Sequence, residues 1–166
     1  MFQVLSRSWA LLLGMMLLMV GNGLQGTLLG VRGGIEGFST FEMSIVMSAY
    51  FAGFLGGSRV APEMIRRVGH VRVFAALASF ISAILILYPA FAHPVAWALG
   101  RVAIGFCFSG VYVTAESWLN NSADNTTRGK ALSVYMIVQM FGIVSAQVLL
   151  TMGDVSGYAL FIVSSV

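Results

Sequence analysis

The sequence predicts an all-α protein that crosses a membrane several times, and three observations support this fold class. Only 9% of the 166 residues are charged, whereas a soluble domain carries about 25% charged residues. Several apolar runs approach the roughly 20 residues that a membrane-spanning helix needs. Arginine and lysine are concentrated in alternate connections between these runs, which is typical of multi-pass membrane proteins. The net charge of +3 therefore reports on membrane topology, and we do not expect nucleic-acid binding.

The first predicted helix covers residues 8–30 and becomes polar in its second half. Asn22 and Gln25 lie there, and their amide groups need hydrogen-bond partners in hydrocarbon. They either line a path for a solute or hold neighbouring helices together, and the sequence favours neither. A secretory signal peptide is an alternative for this segment, although no clear small-x-small cleavage site follows the apolar run.

The second predicted helix covers residues 40–60 and leads into the most basic connection of the chain. Pro62 is expected to end this helix or to start a short one in the connection. Small residues at every fourth position of the helix predict close packing against another helix: Ala49, Gly53 and Gly57. Four arginines place the connection on the cytoplasmic side of the membrane: Arg59, Arg66, Arg67 and Arg72.

The third predicted helix covers residues 73–91 and follows a turn at Gly69. It is the least polar of the predicted helices, so we expect it at the lipid-facing periphery. The next connection, His93-Pro94, contains no lysine or arginine and is therefore expected on the external side.

The fourth predicted helix, residues 95–119, carries two charges within one span. A single stripe of this helix is polar or small: Arg101, Gly105, Ser109, Tyr112 and Glu116. A charge inside the bilayer costs at least about 2.5–3.5 kcal/mol on insertion scales and usually marks a functional position. Arg101 and Glu116 lie about 22 Å apart along the helix axis at 1.5 Å per residue, so each needs a partner elsewhere. Pairing that only holds the helices together is the alternative for both.

The fifth predicted helix covers residues 131–152 and follows a polar connection with Arg128 and Lys130, again expected on the cytoplasmic side. Gln139 shares a face of this helix with Tyr135. A sixth helix is predicted over residues 158–166, about nine residues and less than half a span. Because half a span leaves backbone groups unsatisfied in lipid, we expect a fragment truncated within helix 6, with a C-terminal half missing.

No motif indicates catalysis, a cofactor or a metal. The single cysteine, Cys107, excludes an intrachain disulfide. The sequence contains no Cys/His cluster with metal-ligand spacing, no phosphate-binding G-x-x-x-x-G-K-[ST] loop and no G-x-S-x-G nucleophile motif. We therefore expect a protein that is not an enzyme.

Three motifs together resemble one family. The first is Arg101-x-x-x-Gly105 with Gly110 after it, the second is the connection from Arg66 to Arg72, and the third is Glu116-Ser117-Trp118-Leu119-Asn120 followed by Arg128-Gly129-Lys130. The first resembles the helix-4 motif of major facilitator superfamily transporters, and the second resembles their G-x-x-x-D-R-x-G-R-[RK] loop. The third is similar to a bacterial subgroup of uncharacterised facilitators. The resemblance covers essentially the whole chain.

The resemblance implies a six-helix N-terminal bundle of a secondary transporter that moves a small solute by alternating access. In such a bundle helices 1 and 4 line the substrate cavity, to which we assign Asn22, Gln25, Arg101, Tyr112 and Gln139. The cytoplasmic gate comprises Arg66, Arg67, Gly69, Arg72, Glu116 and Arg128. In this gate we expect Glu116 to face Arg66, Arg67 or Arg128. The loop charges imply a cytoplasmic N-terminus, and the subgroup implies a bacterial inner membrane.

Several departures from the family pattern leave alternatives open. Arg66 occupies the aspartate position of the loop motif, Pro62 its first glycine position and His70 its next arginine position, while Glu63 lies at a different spacing. Helix 5 lacks the G-x-x-x-G-P-x-x-G-G signature of drug/proton antiporters. A non-transporting membrane subunit or receptor on the same helices, or an inactive fragment, is the alternative to a transporter. Whether a proton is coupled to the solute stays open.

Overall fold

The structure, a computed structural model, describes residues 2–124, 126–152 and 159–165. These residues form six α-helices in chain order: α1 (Phe2–Ile35), α2 (Thr40–Val68), α3 (His70–Ala90), α4 (Pro94–Ser122), α5 (Arg128–Met152) and α6 (Ala159–Ser165). Four of them are long and apolar enough to cross a membrane, namely α1 from Ser8 onward, α3, α4 and α5. The predicted all-α membrane class is confirmed at this level. The helix α2 is 29 residues long, but it lies outside that apolar set and carries charges at both ends.

The first two helices extend beyond their predicted C-terminal ends. A salt bridge between Arg32 and Glu36 spans the last turn of α1, and Gly37 then takes a φ of 76° that ends the helix. The helix α2 continues through Pro62 to Val68, so the prediction that Pro62 ends it or starts a new one is wrong. Glu63 pairs with arginines three and four residues later, and this spacing stabilises the charged last turns as a helix.

The start of α2 is set by a capping box. The Ser39 hydroxyl accepts a hydrogen bond from the Glu42 backbone N–H at 3.2 Å, and the Glu42 carboxylate accepts one from the Ser39 backbone N–H at 2.8 Å. This exchange satisfies two backbone donors that a helix N-terminus otherwise leaves free. Glu42 is therefore an interfacial capping residue, as its position at the start of the second predicted helix suggested.

The helix α4 lies at the centre of the bundle. It packs most extensively against α2 and then against α3, whereas α1 packs against α5 and α6. The α2–α4 contact is close because Gly53 on α2 and Gly105 on α4 lie directly on the backbone of the facing helix. A Cβ at Gly53 would overlap the Val102 carbonyl oxygen, and one at Gly105 would overlap that of Tyr50. The close packing predicted from the small residues of the second helix is confirmed.

The helix α3 buries one stripe and exposes the rest. Its buried residues recur mostly every four positions and face the bundle: Val73, Leu77, Ile81, Leu85 and Tyr88. Large apolar side chains on the other faces are exposed, among them Phe80 and Ile86. This pattern fits a helix at the lipid-facing edge. The predicted sixth helix lies partly outside the described residues, because the structure describes only Ala159–Ser165 there.

Candidate functional site

Arg101 is buried at the centre of the bundle, with 9% of its surface exposed. Its guanidinium carbon lies 4.7 Å from the ring centroid of Tyr50 on α2, which is within the range of a cation–π interaction. The Nε atom of Arg101 is buried and has no hydrogen-bond partner among the described residues. A polar group in this position carries a desolvation penalty that a partner must offset. Arg101 is therefore the strongest candidate for a functional position in the part of the chain that the structure describes.

Tyr88 connects Arg101 to the first helix. Gln25 of α1 is fully buried, and its Nε2 donates a hydrogen bond to the Tyr88 hydroxyl at 3.4 Å. The hydroxyl of Tyr88 also interacts electrostatically with Arg101. The Oε1 atom of Gln25 is buried and, in the described structure, has no hydrogen-bond partner. We name these residues the arginine cluster: Gln25, Tyr50, Tyr88 and Arg101.

Aromatic packing holds Tyr88 in place. The Trp97 indole Nε1 donates a hydrogen bond to the Tyr88 carbonyl oxygen at 3.1 Å, and the two rings meet edge to face with centroids 6.0 Å apart. Phe38 contacts the other side of Trp97 with a centroid distance of 4.9 Å. Gly100 leaves room for the Tyr88 ring, because a Cβ there would lie 2.9 Å from it. The arginine cluster is thus supported from the C-terminal end of α3 and the N-terminal end of α4.

Two members of the arginine cluster were missing from the sequence-based assignment. Tyr50 and Tyr88 are polar residues on otherwise apolar helices, and that polarity was the only signal in the sequence. Nothing in the spacing along one helix shows which side chain of another helix will face Arg101. The structure brings Gln25 and Arg101, both assigned to the cavity, into one cluster through these two tyrosines.

The other predicted cavity residues make no described contact with Arg101 itself, although Asn22 lies one turn before Gln25 on α1. Tyr112 is about 16 Å from Arg101 along α4 at 1.5 Å per residue, and its hydroxyl donates a hydrogen bond to the Met19 sulfur at 3.3 Å. Asn22 on α1 and Gln139 on α5 are both half-buried. Tyr135, one turn before Gln139, is buried, and its hydroxyl has no hydrogen-bond partner in the described structure. Tyr112 is linked to Tyr50 of the cluster through Phe54, with ring centroids 6.2 Å and 6.0 Å apart.

Glu116 faces tyrosines and not arginines. It is exposed, and its charge interacts electrostatically with the hydroxyls of Tyr112 and Tyr135. The expected pairing of Glu116 with Arg66, Arg67 or Arg128 is not among the ion pairs of the described residues. Arg66 and Arg67 instead bind Glu63, because a partner three or four residues away on the same helix is always within reach.

The remaining gate residues lie at the surface. Arg66, Arg67, Arg72 and Arg128 are exposed, and Gly69 separates α2 from α3 with a φ of 85°. Hydrogen bonds from Arg66 and Arg67 lower the pKa of the Glu63 carboxyl below its usual value. The contact from this end of α3 to α4 is made by His70, whose Nε2 lies 3.0 Å from the Ser117 hydroxyl. His70 also lies beside Trp118, with ring centroids 6.4 Å apart.

The chain is similar to known transporters over most of its length. The model of a family described as sugar (and other) transporters matches residues 29–159. The uncharacterised MFS-type transporter YcaD of Escherichia coli O45:K1 (strain S88) is 33% identical over 145 residues. The YcaD proteins of E. coli O81 (strain ED1a) and O6:K15:H31 (strain 536) match to the same extent. Each match covers 85% of this chain and 37% of the relative's own length.

These similarities decide the family. No solved structure matches the chain. The family model covers well over half of the chain, and the relatives carry the same superfamily name that the three motifs suggested. The predicted resemblance is confirmed, and the apolar helices fit an integral membrane protein with several spans. The chain belongs to the sugar (and other) transporter family and, through it, to the major facilitator superfamily.

Proposed function

We propose that this chain forms the N-terminal six-helix bundle of a longer secondary transporter, which moves a small solute across the membrane by alternating access. The observation that carries the proposal is the buried arginine cluster, in which one charge on α4 lies beside Tyr50 of α2 and Tyr88 of α3, and Tyr88 binds Gln25 of α1. Buried ionisable residues within membrane helices mark solute or ion pathways by default. The chain spans 37% of the length of its curated relatives, which supports a second half beyond the one described.

In this proposal the substrate cavity lies between α1 and α4. The helix α1 packs chiefly on α5, and α4 packs chiefly on α2 and α3, so the facing sides of α1 and α4 have little direct contact. The cavity residues are those assigned from the sequence, together with two tyrosines that the structure adds: Asn22, Gln25, Tyr50, Tyr88, Arg101, Tyr112 and Gln139. The arginine cluster forms the external part of this cavity, and Tyr112 lies deeper along α4.

The cytoplasmic gate comprises the basic residues at the end of α2 and their neighbours: Arg66, Arg67, Gly69, Arg72, Glu116 and Arg128. We place these residues on the cytoplasmic side, together with the N-terminus, because of the loop charges. The resemblance to bacterial facilitators suggests that the membrane is a bacterial plasma membrane. Glu116 is the candidate for a coupling proton, because it is the acidic side chain of α4 and lies near Tyr112 and Tyr135. The family membership supports transport over a non-transporting subunit or receptor.

The test is solute flux in proteoliposomes that contain the native protein as its cells produce it. A panel of labelled sugars, sugar acids and hydroxy acids is screened for saturable uptake. We expect Arg101→Ala to abolish the flux that the unchanged protein shows, with equal amounts of both proteins recovered in the membrane. Arg59→Ala removes an exposed arginine outside the cavity and the gate, and serves as the control. Normal transport by Arg101→Ala would overturn the role of the cluster, and no flux of any solute would overturn the transporter.

A further inference from the structure

Arg101 has no anionic partner among the described acidic residues. Each of these carboxylates is engaged elsewhere: Glu36 with Arg32, Glu42 with the backbone of Ser39, Glu63 with Arg66 and Arg67, and Asp124 with Thr126 and Thr127. Glu116 lies about 22 Å away along α4 and faces two tyrosines. Asp154 lies outside the described residues. A buried charge needs a compensating negative charge, and a bound anion is a source that fits the unpartnered Nε of Arg101.

We propose that the arginine cluster binds a hydroxylated carboxylate, of which a sugar acid is the model compound. This inference rests on the proposed transport function and names the class of solute. The planar guanidinium presents several N–H donors that match the two oxygens of a carboxylate. The buried Nε of Arg101 is one such donor, and no described residue accepts a hydrogen bond from it.

The hydroxyl requirement comes from Gln25. The Nε2 of its amide is bound to Tyr88, and its Oε1 is a buried acceptor without a donor in the described structure. A hydroxyl group of the solute satisfies this acceptor, whereas an apolar carbon chain leaves it unpaired. The two unpartnered atoms together therefore favour a carboxylate that carries hydroxyls over a neutral sugar.

Three six-carbon probes test this selection. Gluconate has a carboxylate and hydroxyls, glucose has hydroxyls without the charge, and hexanoate has the charge without hydroxyls. We expect saturable gluconate uptake into proteoliposomes and glucose uptake at least about tenfold slower, as loss of one charge-assisted contact implies. Hexanoate crosses bilayers unaided, so it serves only as a competitor, and we expect it to inhibit gluconate uptake at least about tenfold less than unlabelled gluconate does.

Two variants assign the effect to the cluster. Arg101→Gln should reduce the initial rate of gluconate uptake by at least about tenfold, and Gln25→Leu should raise its KM by about fivefold while reducing the preference over hexanoate. Arg59→Gln removes an exposed arginine from α2 and should leave uptake within about twofold of the unchanged protein, since a surface charge of this kind contributes little. Recovery of each variant as a single gel-filtration peak shows that it is folded.

A binding measurement separates this inference from the transport function. Trp97 packs against Tyr88 and reports on the cluster by fluorescence once every other tryptophan of the native protein, Trp9 and Trp118 included, is replaced by phenylalanine. One outcome is that gluconate changes the Trp97 emission only in the protein that retains Arg101, while no solute crosses the membrane. This result would support the proposed class of solute and overturn the transport function. Glucose flux equal to gluconate flux, with or without dependence on Arg101, would overturn the solute class and leave transport intact. If gluconate does not bind and no solute crosses the membrane, both the solute class and the transport function are overturned.

Discussion

Charged side chains of this protein fall into two groups at the residue scale. Those at helix ends find partners within one turn, as Glu63 does with Arg66 and Arg67, and they are exposed to solvent. Arg101 is different because it is buried on a central helix and lies beside the tyrosines Tyr50 and Tyr88, with no carboxylate partner among the described residues. The first group stabilises local structure by small amounts. The second is where a change in one side chain should alter function.

The ring of Tyr50 should matter more than its hydroxyl. We expect Tyr50→Leu to weaken the contact with Arg101 by about 0.5–2 kcal/mol, the range of cation–π interactions, and Tyr50→Phe to retain most of it. The measurement is the thermal stability of the detergent-solubilised protein, followed by gel filtration after heating. The matched control is Phe51→Leu, which changes an exposed ring at the neighbouring position. Equal losses for Tyr50→Leu and Phe51→Leu would contradict this role.

Asp124 should remain ionised in moderately acidic solution. Hydrogen bonds from the hydroxyls of Thr126 and Thr127, followed by one from the Thr127 backbone, lower the pKa of Asp124 to about 2. A lowered pKa means that the folded turn is favoured above the unfolded value of about 3.9 and loses this advantage as the pH falls towards 2. A carboxyl carbon NMR titration should therefore show a midpoint near pH 2, with Asp124→Asn identifying the signal. A midpoint near 4 would show that the turn does not hold the carboxylate.

At the scale of the elements, backbone contact between helices organises the bundle. The helices α2 and α4 approach closely because Gly53, Gly57 and Gly105 lie against the opposing backbone. Close approach of this kind lets helices associate in lipid, where no hydrophobic force drives them together. It also positions Tyr50 one turn before Gly53 and within reach of Arg101, so packing and the candidate site depend on the same contact.

One methyl group on α2 should test this packing. Gly53→Ala places a Cβ against the Val102 carbonyl oxygen and should destabilise the protein by about 1–3 kcal/mol, as overpacking does. Gly56→Ala is the matched control, since its Cβ would meet the Phe106 ring at an ordinary 3.7 Å. Thermal stability in detergent compares the two variants. Equal stability of the two variants would contradict close packing as the reason for Gly53, because helix propensity alone favours alanine over glycine at both positions.

At the scale of the whole molecule, the property to test is the membrane topology, that is, which end of the bundle faces the cytoplasm. The basic connection after α2 and the polar connection after α4 lie at the same end of the bundle, and we propose from the charge pattern that this end is cytoplasmic. In the proposed orientation the His93 connection lies outside, close to the arginine cluster. In the proposed transporter, a solute from that side would meet Arg101 before it meets Tyr112.

Cysteine labelling should decide this orientation. In a background from which every native cysteine, Cys107 included, is removed, Ala92→Cys lies in the connection before α4 and Ser122→Cys at the last residue of α4. Both positions are exposed. A membrane-impermeant maleimide added to intact cells should modify Ala92→Cys and should modify Ser122→Cys only after the membrane is permeabilised. The reverse pattern would contradict a cytoplasmic N-terminus.

The sequence by itself determined the membrane class, the approximate position of each helix, the close packing of α2 and the unusual position of Arg101. These properties depend on composition and on the 3.6-residue period of a helix, which can be read along a single segment. The sequence did not predict the ends of these helices correctly. The helices α1 and α2 continue beyond their predicted C-terminal ends because charged pairs one turn apart keep the polar segments helical.

Only the tertiary structure decided which side chains meet. It joined Gln25 and Arg101 through Tyr88, added Tyr50, and turned Glu116 towards Tyr112 and Tyr135 instead of the basic loop. Such contacts depend on how each helix is rotated about its own axis and which helices are neighbours. Those quantities are set by packing between residues far apart in the chain, so periodicity within one helix does not contain them.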